Sequence, residues 1–107
     1  HIHAGRVVER STLGEWRIVV VSLPRRDDRA PMQYLYRMLV FPSAGHKPVL
    51  ALNLELSILG TACLTEQSGA RHTRHETVDQ GMSYEEFRQW AWSRVQAALD
   101  QPVTATL

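Results

Sequence analysis

A single cysteine, Cys63, occurs among the 107 residues, so no internal disulfide can staple the fold. It lies in an apolar run and reads as a buried structural thiol rather than a reactive one. A lone thiol of this kind fits a reducing compartment, and a cytoplasmic location is the expectation. Long apolar runs are missing as well. No stretch approaches the ~18 residues that a membrane span needs, and no signal peptide is visible, so no membrane partner is expected. Net charge is almost absent: 12 Lys and Arg stand against 11 Asp and Glu, for a formal +1. That balance disfavours a dedicated polyanion binder, although a local patch is compatible with it. Lysine is nearly absent too, since all but one of the basic residues are arginine. No serine sits in a G-x-S-x-G elbow and no glycine-rich phosphate loop occurs. The sequence therefore points away from an enzyme, and it implies no cofactor.

What remains is the composition of an ordinary globular domain, 44% hydrophobic and 21% charged. A chain of this length forms one domain, residues 1–107, and buries roughly 65% of its unfolded surface without a metal or disulfide. Residues 1–5 read as a tag remnant or disordered N-terminus and 101–107 as a frayed tail. His1 and His3 are accordingly set aside from any metal argument.

Residues 15–23 carry a β-branched run that ends at Pro24, which predicts a strand. Trp16, Ile18 and Val20 share one face and Val19, Val21 and Leu23 the other, so this strand is central in a sheet. Residues 6–10 predict a short edge strand before it, and 24–31 a proline-bounded, charged, solvated connection. Residues 33–41 predict a second long strand, with Tyr34, Tyr36, Met38 and Val40 on one face and Leu35, Arg37, Leu39 and Phe41 on the other. A turn cluster follows at 42–48. From Val49, four leucines at period two (Leu50, Leu52, Leu54 and Leu56) define a half-buried strand. Gly60 interrupts the pattern, so residues 49–66 form one bent strand or two strands meeting at that glycine. After a turn at 67–70, residues 71–79 return antiparallel.

Ser83 is a good N-cap, Glu86 completes a capping box, and Met82 with Phe87 makes a hydrophobic staple. Tyr84, Phe87, Ala91, Val95 and Ala98 then recur at helical spacing, which predicts a helix over 84–99, ending before Pro102. The expected fold is α+β: an antiparallel sheet of about four to five strands with one C-terminal helix packed on one face. One helix leaves the second face uncovered, and a second copy of the chain is the expected cover.

The most chemically suggestive stretch is "RHTRHE" at 71–76. His72 and His75 would share a face on a helix but part on a strand. Strict alternation sets His72, Arg74 and Glu76 on one side and Arg71, Thr73 and His75 on the other, so no metal site is expected. The same residues suit a solvated edge that discourages aggregation. The ligand-contacting candidates are His72, Arg74, Glu76 and His75. Trp90 and Trp92 lie ~200° apart around the helix, so both cannot point into one core; they are the candidate interface residues. The leading functional expectation is a small non-catalytic domain that binds another macromolecule, an unknown protein partner, and acts as a homodimer. The alternative is nucleic-acid binding through Arg6, Arg10, Arg17, Arg71 and Arg74 across one sheet face, which the low net charge disfavours. A third is a small-ligand or enzymatic site around His72, His75 and Glu76.

Overall fold

The computed structural model describes residues 5–23, 32–57 and 59–106. Six strands follow one another in chain order across a single antiparallel sheet: β1 (Arg6–Leu13), β2 (Trp16–Ser22), β3 (Met32–Pro42), β4 (Leu50–Ser57), β5 (Ala62–Ser68) and β6 (Arg71–Val78). One helix, α1 (Tyr84–Thr106), then packs across β3 and β4 on one face. The α+β class is as expected, but the sheet has six strands rather than four to five. Two local features account for the difference. Gly14-Glu15 is a two-residue hairpin loop with Gly14 at φ 59, and it makes β1 a full-length partner of β2. Residues 49–66 resolve into two strands that turn at Gly60. The charged connection expected at 24–31 and the N-terminal residues 1–4 lie outside the described residues.

Leucine and β-branched alternation set the face that α1 covers. The register aligns Ile18 with Val40 and Val20 with Met38, then Met38 with Leu52 and Leu54 with Leu64. All of these side chains are essentially inaccessible to solvent. Phe87, Ala91 and Val95, spaced four apart along α1, close the core from above and are equally buried. The capping box forms reciprocally. The Ser83 backbone N–H donates to Glu86 Oε1 (3.0 Å), and the Glu86 N–H donates to Ser83 Oγ (3.2 Å). Met82 and Phe87 both join the core. The helix runs past the expected Leu99 boundary, through Pro102 to Thr106. Pro102 withholds one intrahelical N–H, and the residues after it still carry donors for the preceding turn.

Three bulges break the alternation that sequence reading assumes. Val8 in β1, Leu35 in β3 and His75 in β6 are each one residue more than the partner strand supplies. An extra residue inverts every face assignment on its far side. Tyr34 therefore leaves the face of Tyr36, Met38 and Val40 and joins that of Arg37, whose guanidinium lies 4.2 Å from its ring centroid. Glu76 sits opposite buried Leu64, on the α1 side, while Arg74 sits opposite Thr65 on the other. Both placements correct the strict period-two reading.

Candidate functional site

On the α1 side, two carboxylates of the sheet clamp the two flanks of the helix. Glu9 on β1 accepts from Arg88 at both oxygens (2.7 Å each) and from the Tyr84 hydroxyl (2.5 Å). The Arg88 guanidinium holds the Glu9 carboxyl below its ordinary range, and Glu9 in turn holds Arg88 above its own. Burial, reinforced by the bond to Glu9, pushes the Tyr84 phenol up to about 12. At the opposite flank Glu66 Oε1 accepts from His75 Nε2 (2.8 Å) and Arg94 Nε (3.0 Å). The His75 ring meets Trp90 edge-on with centroids 5.5 Å apart.

Among the described residues no helix covers the other sheet face, yet two polar side chains on it, Asn53 and Thr65, are fully buried. Burial without partners would be costly, and here each has partners. Arg37 Nε donates to Asn53 Oδ1 (2.9 Å), and Arg37 Nη2 donates to Gln67 Oε1 (2.8 Å). Asn53 Nδ2 donates to Thr65 Oγ1 (3.1 Å) and to Gln67 Oε1 (3.2 Å). The Thr65 hydroxyl donates to Glu55, and so does His72 Nε2 (2.8 Å). Antiparallel register builds this chain, because it sets Arg37 beside Asn53, Asn53 beside Thr65 and Thr65 beside Arg74. The Cys63 side chain, on the same face, is the main influence holding the Arg74 guanidinium above its ordinary range. Toward β1 the face turns apolar, with half-buried Val19, Val21 and Leu39 and exposed Val7. Its remaining cations are Arg10 and Arg17, and Arg17 Nη2 donates to the Gly45 carbonyl (2.6 Å).

The structure thus divides the candidate residues of 71–76. His72 and Arg74 belong to the open face, whereas His75 and Glu76 lie on the α1 side. His72, His75 and Glu76 consequently line no common concavity. Among the described residues no group of three or more His, Cys, Asp or Glu side chains comes together to hold a metal ion. The five arginines expected on one face divide as well. Arg10, Arg17 and Arg74 register on the open face, but Arg6 opposes Ser22 and Arg71 opposes Ser68 on the α1 side. Arg37 takes their place on the open face, and its signal lay in the sequence as the one charge within the β3 pattern. Both tryptophans pack against the core from the helix margins, Trp90 beside Phe87 and His75, Trp92 beneath Arg88. The Trp92 Nε1 is buried with no hydrogen-bond partner among the described residues. Among the described residues no helix is long and apolar enough to cross a membrane. No protein-family model matches the chain, and neither a curated protein nor a solved structure is significantly similar to it.

Proposed function

We propose that the protein is a non-catalytic binding domain that docks an acidic surface of another protein on the sheet face opposite α1. The charge of that face carries the reading. Among the described residues, Arg10, Arg17, Arg37 and Arg74 stand on it with one carboxylate, Glu55, which already accepts from Thr65 and His72. Arg10, Arg17 and Arg37 border an apolar centre at Val19, Val21 and Leu39, the layout of a protein interface with a dry middle and a polar rim, and Arg74 stands beyond it across Asn53 and Thr65. The hydrogen bonds among Arg37, Asn53 and Gln67 fix part of the surface in advance, which lowers the ordering cost of docking.

A face-to-face homodimer would bring two faces of the same net positive charge together, and that repulsion weakens such a pairing. Nucleic acid is the second reading, supported by the same arginines. Against it, a base-stacking platform needs free aromatic faces. Phe41 and Tyr34 each lie under an arginine of their own face, at 5.0 and 4.2 Å.

Fluorescence anisotropy with a labelled Glu- and Leu-rich peptide, run beside a labelled oligothymidylate, separates these readings. The peptide should bind, weaken as salt rises, and lose about tenfold or more in affinity with Arg17→Glu and Arg74→Glu together. Binding of the oligonucleotide alone would favour the second reading. Binding of neither at low salt would remove both, and a stable dimer by light scattering would return the second copy to first place.

A further inference from the structure

The α1 side of the β5–β6 hairpin holds a feature that the binding reading does not use. A pocket of about 210 Å³ lies there, lined by Glu66, Ser68, Arg71, Thr73, His75 and Arg94. Three elements supply it. β5 contributes Glu66 and Ser68, β6 contributes Arg71, Thr73 and His75, and α1 contributes Arg94. Register places Glu66 opposite Thr73 and Ser68 opposite Arg71, so their side chains rise on the same side of the sheet. The His75 bulge brings its imidazole up beside them.

Two cations and two hydroxyls point this pocket toward anions. Among the described residues, the Arg71 guanidinium and the Ser68 and Thr73 hydroxyls have no side-chain hydrogen-bond partner. Arg94 spends only its Nε on Glu66, which leaves its terminal nitrogens as donors. Glu66 is the one acid in the lining, and it sits 14% exposed with Oε1 shared by His75 and Arg94. Its charge is offset by Arg94, so Arg71 is the uncompensated charge of the pocket. The glutamate thereby acts as the post that holds the arginine and the imidazole in position.

We propose that this pocket binds the phosphate group of a small molecule, with Arg71 and Arg94 as charged donors and the Ser68 and Thr73 hydroxyls completing the contact. A guanidinium meets a tetrahedral oxyanion through two parallel N–H groups, and hydroxyls at the sides satisfy the remaining lone pairs. The pocket lies on the opposite side of the sheet from the proposed docking face, and neither proposal depends on the other.

The test is a titration of the full chain with inorganic phosphate, against sodium chloride of matched ionic strength, followed by amide chemical shifts. Saturable shifts centred on Ser68, Thr73, His75 and Arg94, with a Kd on the order of millimolar, are the expected result. Arg71→Gln should raise that Kd about tenfold or more, since it removes one charge-assisted donor. Because Arg71 is exposed and unpaired among the described residues, the variant should keep its melting temperature. Arg10→Gln, on the other face, should leave the Kd unchanged. Shifts that follow chloride equally, fail to saturate, or persist undiminished in Arg71→Gln would overturn the proposal.

Discussion

Replacing Asn53 with leucine puts the polar network of the open face to a quantitative test. The substitution keeps most of the side-chain volume and removes three hydrogen bonds: one accepted from Arg37 and two donated, to Thr65 and Gln67. The partners fare differently. Gln67 Oε1 keeps its bond from Arg37, and Thr65 keeps its bond to Glu55, but the buried Thr65 oxygen loses the donor that Asn53 supplied. At about 1 kcal/mol net for each hydrogen bond, the loss sums to about 3 kcal/mol, reduced somewhat by the more apolar side chain. A domain of this size loses about 4–8 °C per kcal/mol, so the melting temperature should fall by roughly 10–20 °C. Thermal and urea unfolding followed by circular dichroism measure it. Adding Thr65→Val removes the stranded oxygen, so the double variant should cost about 1 kcal/mol less than the sum of the singles. Stability of Asn53→Leu within about 0.5 kcal/mol of the parent, or simple additivity of the pair, would refute the claim that these bonds hold the face in shape.

Glu9→Gln should flatten the acid limb of the stability curve. The carboxyl of Glu9 is held below its ordinary 4.5 in the folded state, chiefly by Arg88, so its contribution is complete above that value and fades as pH falls through the folded one. With Arg88 38% exposed, solvent screening keeps the effect to about 1 kcal/mol at neutral pH, read from urea midpoints against pH. Tyr84 runs in the opposite direction. Its phenol, raised from 10.0 to about 12, contributes fully below 10 and loses that contribution as pH climbs through the folded value. Phenolate absorbance should show Tyr84 titrating near 12, and Glu9→Gln should bring it forward. Gly69→Ala, at φ 61 with open space around the new Cβ, should cost about 1 kcal/mol from backbone strain alone, and Gly69→Asn should cost less.

Local signals made some of this molecule legible. Ser83 and Glu86 lie within one turn and cap α1 as their spacing implies, because both halves of the motif are sequence neighbours. The same holds for Trp16, Ile18 and Val20, and for Leu50 through Leu56 at period two, whose faces no bulge disturbs. Beyond a bulge, counting fails. Leu35 turns Tyr34 toward Arg37, and His75 sends Glu76 away from His72 and Arg74, although nothing in either segment's composition marks an extra residue. Gly14-Glu15 was a readable turn signal, and it would have supplied the missing length of β1. The burial of Asn53 and Thr65 lay beyond local reading altogether. It depends on Arg37 and Gln67, which reach them only once three strands are in register.

A map of amide chemical shifts as the Glu- and Leu-rich peptide is added to the isotope-labelled chain tests the central claim most directly. Docking on the sheet face opposite α1 predicts shifts concentrated at Arg10, Arg17, Val19, Arg37, Leu39 and Arg74, with Phe87, Ala91 and Val95 unmoved. Shifts concentrated instead along α1, or spread evenly over both faces, would contradict it.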